Sequence, residues 1–178
     1  VYGLGGNGLN KEASKKIYAA KGRPSDNPLI LHIADMEQFY PLIKTDNAKI
    51  IARAEALADV FWPGPLTMIL PKADNIPYET TGGLDTVAIR MPSHLVARAL
   101  LQECKMPIAA PSANLSGRPS PTSASHVIED MNGRIEMIID GGDVGIGVES
   151  TIIDLTGEVP MLLRPGFVTP EMQHRHFS

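Results

Sequence analysis

One cysteine among 178 residues excludes an internal disulfide and suits a reducing compartment. Cys104 falls on the apolar side of a predicted helix, which makes it core material more than a nucleophile. No apolar run approaches the roughly 20 residues that a bilayer requires, and no basic segment followed by an apolar one opens the chain. The sequence therefore predicts a soluble, cytoplasmic protein. A basic block is also missing. Lys and Arg total 16 against 20 Asp and Glu, for a net charge of −4, and the cations are spread along the chain. That distribution argues against a broad nucleic-acid footprint, so any cationic site has to be small and local. His32, His94, His126, His174 and His176 show no metal-ligand spacing with acids or with Cys104, and neither H-E-x-x-H nor C-x-x-C occurs. No built-in metal site is expected, and no serine is marked out as an activated nucleophile.

Hydrophobic residues make up 43% of the chain, enough for one globular core. Asn10 is placed to cap a helix over Lys11–Lys21, with Gly22 at its C-terminal stop, and Leu29–Ile33 reads as a strand. Asp46 is the predicted cap of a longer helix in which Ile50, Ile51, Ala54, Leu57, Ala58 and Phe61 recur at helical spacing. Trp62-Pro63-Gly64-Pro65 stops it. Strands are predicted at Leu66–Leu70 and Thr86–Arg90. Ser93 then caps a helix carrying Val96, Leu100, Leu101 and Cys104 on one face. A short strand follows at Ile108–Ala110, and a helix runs from Thr122 to near Asn132-Gly133. Ile135–Ile139, Thr151–Leu155 and Met161–Leu163 complete the predicted strands. The class is α/β with a mixed sheet, because several strand pairs have only loops between them.

Two polar loops stand out. Lys21-Gly22-Arg23-Pro24-Ser25-Asp26-Asn27-Pro28 places two cations on a backbone that two prolines stiffen, an arrangement suited to holding an anion. Pro111–Thr122 follows a buried strand and precedes a helix, so its hydroxyls, amides and the helix N-terminus suit phosphate and ribose. Arg90 and Arg164 each end a strand, where a guanidinium fits either carboxylate or phosphate capture or a rim ion pair. Ser150, between a glycine-rich turn and a strand, is placed to touch a small polar ligand. His32 sits inside an apolar strand and reads as a core histidine able to face the same pocket. Gly3-Leu4-Gly5-Gly6-Asn7-Gly8 matches G-x-G-x-x-G, but the helix starts near Lys11 and Asp26 precedes a strand instead of ending one. A nicotinamide site is not supported.

Lys21–Ile30, Phe61-Trp62-Pro63-Gly64-Pro65-Leu66-Thr67, Pro111–Thr122, Gly147-Val148-Glu149-Ser150-Thr151 and Leu163-Arg164-Pro165-Gly166 together closely resemble the YrdC-like threonylcarbamoyl-AMP synthase family over nearly the whole chain. The resemblance implies a YrdC-like twisted, mixed sheet flanked by helices around a cationic cavity. It implies a catalytic domain over residues 1–166 and a tail over 167–178 that opens a linker. The implied reaction is nucleotidyl transfer, in which L-threonine, bicarbonate and ATP give L-threonylcarbamoyl-AMP and pyrophosphate, with Mg²⁺ on the nucleotide. The product serves threonylcarbamoyladenosine formation in tRNA next to the anticodon and passes to tRNA-modification proteins. Carried over by motif, Lys21, Arg23, Asn27, Thr86, Ser112, Ser120 and Arg164 resemble the ATP contacts, with Lys21 and Arg23 catalytic. His32, Arg90, Ala110 and Ser150 resemble the threonine contacts. The family pattern also has a Pro-Thr-Glu-Thr segment before Val-Tyr-Gly-Leu-Gly that helps hold threonine. This chain opens just after it, so weak threonine binding and retained nucleotide binding are expected. Two other readings are a carbamoyl-adenylate module of the hydrogenase-maturation kind and a non-catalytic RNA-binding module.

Overall fold

A computed structural model describes residues 1–145, 147–169 and 172. Helix α1 (Lys11–Lys21) begins where the Asn10 side chain accepts the N–H groups of Glu12 and Ala13. It ends at Gly22, whose φ of 60° is left-handed, with Gly22 N–H bonded to Ala19 O and Arg23 N–H to Tyr18 O. That stop aims the next residues into the cationic loop before strand β2 (Ile30–His32). Helix α2 (Met36–Phe39) and a 3₁₀ turn at Tyr40–Leu42 follow, then α3 (Ala48–Phe61), β3 (Leu66–Pro71) and β4 (Thr86–Arg90). Helix α4 (Leu95–Cys104), β5 (Ile108–Ala109), α5 (Ala124–Met131), β6 (Thr151–Asp154) and β7 (Met161–Arg164) complete the chain, with β1 (Gly6–Asn7) at its start.

The seven strands form one mixed sheet in the order β1-β5-β2-β4-β3-β6-β7. β2 runs parallel to β4 and β3 parallel to β6, whereas the other neighbours are antiparallel. The period of two along a strand separates the faces. Leu31, Val87, Ile89, Met68, Ala109 and Ile153 point into the core with Ile17 and Tyr18 of α1, Leu57 of α3 and Met131 of α5. Ile30, His32, Thr86, Ala88, Arg90, Ile108 and Ala110 alternate with them and are only partly buried. One face of the central sheet is thus left open.

Several expectations need correcting. Ile135–Ile139 forms no strand; Ile135 and Ile138 pack on the core from a loop, so their apolar character serves burial instead of strand pairing. The long helix is capped by Asn47, which accepts Lys49 N–H, and not by Asp46. His94 and Ser123, without side-chain cap bonds, replace Ser93 and Thr122 at the starts of α4 and α5. The apolar face of α4 is largely outside: Val96 and Leu100 are exposed, only Leu101 is buried within the helix, and Cys104 is half-buried instead of core. The glycine-rich start pairs as β1 with β5, a different use from cradling a dinucleotide.

Two glycines fix close approaches near the open face. Gly82 has a φ of +63°, and a Cβ there would lie 2.7 Å from Asp26 O, so the β3–β4 loop buttresses the cationic loop. At Gly166 a Cβ would lie 2.6 Å from Thr151 N and 2.8 Å from Glu149 O. Gly166→Ala is therefore expected to destabilise the fold by about 1–3 kcal/mol, the usual cost of overpacking, read as a lower urea midpoint at unchanged slope.

Candidate active site

The sheet pairings sort the open face into two ends. His32, Arg90, Thr67 and Ile152 lie in one row across β2, β4, β3 and β6. This row is the C-terminal end of β4 and the N-terminal end of β6, where Ser150 and Thr151 enter the sheet, and Arg164 pairs with Ile152. At the opposite end, Thr86 opens β4 and the cationic loop leads into β2. β5 runs antiparallel to β2, so Ala110 and the loop after it leave at that same end, with Ala110 N–H bonded to Ile30 O. Thr86 is roughly 13 Å along the strand from Arg90, at about 3.3 Å per residue.

Lys21 joins the two loops. Only 3% exposed, it donates from Nζ to Ser112 O and to Asn114 O at 2.6 Å, while Ser116 N–H returns a bond to Lys21 O. The Lys21 ammonium is locked in place by these bonds. Burial, with Arg23 adding to it, lowers the Lys21 ammonium to a pKa of about 8, partly opposed by Asp130 and Glu149; it is still mostly protonated at neutral pH. Arg23 spans its own loop, donating to Pro28 O at 3.2 Å and Asn27 O at 3.5 Å, and its Nε is buried without a partner. Asn27 offers its carbonyl to the Tyr18 hydroxyl and is exposed. Ser112 forms an isolated bridge with Gly3.

At the other end, Arg90 donates from Nε to Gly64 O at 3.1 Å, so the Trp-Pro-Gly-Pro turn orients its guanidinium. Burial and the nearby Arg164 both work against its charge and lower its pKa. His32 is lowered to about 4, first by burial and then by Arg90, and its Nδ1 lies 3.1 Å from Ile30 O. Among the described residues, Lys21, Arg23 and Arg90 form no salt bridge. Partly or fully buried cations without carboxylate partners, together with an orphaned Nε, leave positive charge that a bound anion would satisfy.

Of the two uses expected for Arg164, anion capture or an ion pair, the structure shows the ion pair. It pairs with Glu149 and donates to Ser150 O from Nε and Nη2 at 3.0 and 2.9 Å. The Ser150 hydroxyl, 2.7 Å from Thr67 Oγ1 and 3.2 Å from Arg164 Nη2, is already engaged, and Ser120 donates to Glu149 Oε1 at 3.1 Å.

Sequence reasoning missed four contributors: Glu149, Thr67, Asn114 and Asp130. Asn114 bonds Leu115 O and Arg118 O and leaves its buried Oδ1 unpartnered. Asp130, 7% exposed on α5, accepts Leu115 N–H and pairs with Arg118 at 2.6 Å, holding the second loop from behind. A carboxylate at an inward position of a short amphipathic helix was the available signal for Asp130, and an acid beside Ser150 was that for Glu149.

The Sua5–YciO–YrdC family model, described as telomere recombination, matches residues 1–166. The chain belongs to this family. Its curated relatives include a threonylcarbamoyl-AMP synthase of Pyrococcus abyssi, 61% identical over 166 residues, covering 93% of this chain and 48% of that protein. One from Bacillus subtilis is 58% identical, covering 96% of this chain and 49% of the other. The chain thus spans about half the length of these Sua5–YciO–YrdC relatives. A crystal structure of P. abyssi Sua5 complexed with L-threonine superimposes with a TM-score of 0.94 at 57% identity, over 99% of this chain and 51% of that one. Full-length HypF in a phosphate- and nucleotide-bound form shares the fold at 18% identity and a TM-score of 0.74.

The depressed His32 has a consequence for stability. Its folded value lies below its unfolded one, so between about pH 6.5 and 4 the unfolded chain binds a proton that the folded chain refuses, and stability falls as pH falls through that window. The contribution approaches about 1.4 kcal/mol per pH unit. Urea unfolding of wild type and His32→Gln at pH 6.5 and 4.5 should show the variant losing less stability on acidification.

Proposed function

We propose that the chain carries the nucleotidyltransferase chemistry of its relatives, making L-threonylcarbamoyl-AMP and pyrophosphate from L-threonine, bicarbonate and ATP. The observation that carries this reading is the set of cations without carboxylate partners, Lys21, Arg23 and Arg90, around one open sheet face. The names of the curated relatives and the threonine-bound P. abyssi structure support it. Residues 1–166 are taken as the catalytic domain. Working in the cytoplasm, it would hand its product to the proteins that modify tRNA next to the anticodon.

The chemistry explains why cations matter more than a nucleophile. The threonine amine attacks bicarbonate carbon, water leaves, and the carbamate oxygen attacks the α-phosphorus of ATP, releasing pyrophosphate. An anion must approach an anion, so the protein has to neutralise charge and hold both partners in line. Lys21, Arg23, Asn27, Thr86, Ser112, Ser120 and Arg164 are assigned to the nucleotide, Arg164 reaching it from the Arg90 end of the sheet. His32, Arg90, Ala110 and Ser150 are assigned to threonine, Ala110 from the cationic-loop end, with Arg90 suited to the α-carboxylate. Neutral His32 adds no charge beside it and can bond the ammonium or hydroxyl of threonine. Mg²⁺ is assigned to the nucleotide phosphates, where it neutralises charge. The donors of the loops suit the phosphates more than the metal, and no group of three or more His, Cys, Asp or Glu able to hold a metal occurs among the described residues.

Pyrophosphate release should require ATP, threonine and bicarbonate together; release that ignores threonine would overturn the proposal. Arg23→Ala should weaken ATP binding by at least tenfold, as loss of a charge-assisted contact implies. Arg53→Ala should instead act on stability. Arg53 donates to Gly157 O at 3.2 Å and Glu158 O at 2.6 Å, tying α3 to the β6–β7 turn. Arg90→Ala should raise the threonine constant by at least tenfold while ATP still binds, read by calorimetry with each ligand.

A further inference from the structure

Glu149 bridges Ser120 and Arg164. Its carboxylate pairs through Oε2 with Arg164 Nη1 and accepts the Ser120 hydroxyl through Oε1 at 3.1 Å, so it occupies one donor on each of two residues assigned to the nucleotide. It also lies within electrostatic reach of Lys21 and Arg23, whose charged forms it favours. The backbone beneath it is fixed. Ser150 is 2% exposed, its carbonyl takes two bonds from Arg164, and Glu149 O abuts Gly166. The side chain is half-buried and so open to solvent on one side. On the other side the chain leads back through Gly147, with φ of 64°.

We propose that Glu149 is a built-in stand-in for phosphate that sets nucleotide affinity. It holds Ser120 and Arg164 in place and offsets the clustered positive charge, and ATP must displace it from both. The reading rests on the proposed nucleotide site. A single carboxylate brings one charge and two acceptor oxygens, whereas a triphosphate brings several of each, so a polyphosphate can win this exchange. The displaced carboxylate then faces bound phosphates and repels them, which limits affinity and favours departure of pyrophosphate after transfer.

Calorimetry with ATP and, separately, with inorganic tripolyphosphate at fixed ionic strength tests this on wild type, Glu149→Gln, Glu149→Asp and the exposed-surface control Glu103→Gln. Glu149→Gln keeps the shape and removes the charge, and it should bind both probes about tenfold tighter; Glu149→Asp, with its shorter arm, should gain less, and Glu103→Gln should gain nothing. Glu149→Asp carries the same test should the glutamine variant fail to fold. Unchanged or weaker binding of both probes by the Glu149 variants would overturn the proposal and make Glu149 a group that merely orients Arg164. An equal gain in the Glu103 control would reduce the effect to net charge and overturn it too. Tighter tripolyphosphate binding with no ATP binding by any form would keep the Glu149 exchange and overturn the nucleotide reading instead.

Discussion

A buried ammonium holds the site together. Lys21 ends α1, where the helix dipole favours a cation, and its Nζ satisfies two carbonyls of a loop more than 90 residues later in the chain. Removing that charge from water is costly, and its lowered pKa of about 8 records the cost. The bonds to Ser112 O and Asn114 O offset it, with Asp130 contributing from behind the loop. Break this clamp and the two loops lose their common anchor. The open face would then lose the geometry that makes Arg23 and Ser120 parts of one surface.

The sheet supplies the other half of the site by simple alternation. Every second residue of β2, β4 and β5 points into the core, so the intervening ones line a floor whatever their chemistry. Thr86, Ala88 and Arg90 share that floor because they are two apart, and pairing with His32 and Thr67 sets Arg90 in the middle of its row. Gly64 O and Arg164 then decide its orientation and its electrostatic surroundings. Strands carry His32, Thr86, Arg90 and Arg164, and loops carry Lys21's partners, Arg23, Ser120 and Ser150.

Much of this was legible. Asn10 and Gly22 marked the ends of α1 because capping is local chemistry, and Thr86–Arg90 was readable because β-branched and apolar residues alternate there. The motif pattern named the family. Other features were not readable. Ile135–Ile139 has the composition of a strand, yet the same composition also suits a loop that buries Ile135 and Ile138 on the core, and only the fold selects between them. The exposed face of α4 looks like a core face in one dimension, since amphipathicity does not say what covers it.

By itself, the sequence determined the α/β class, the two ends of α1, the cationic character of the first loop and the membership of a family with long ordered motifs, because all of these depend on neighbours within a few residues or on patterns along the chain. Only the tertiary structure decided that Lys21 faces carbonyls instead of solvent, that Arg164 is already held by Glu149 and Ser150, and that Arg90 lacks a counter-ion. Those outcomes depend on which distant charge arrives within a few ångströms. Sheet order and loop crossing set that distance, and no spacing along the chain encodes it.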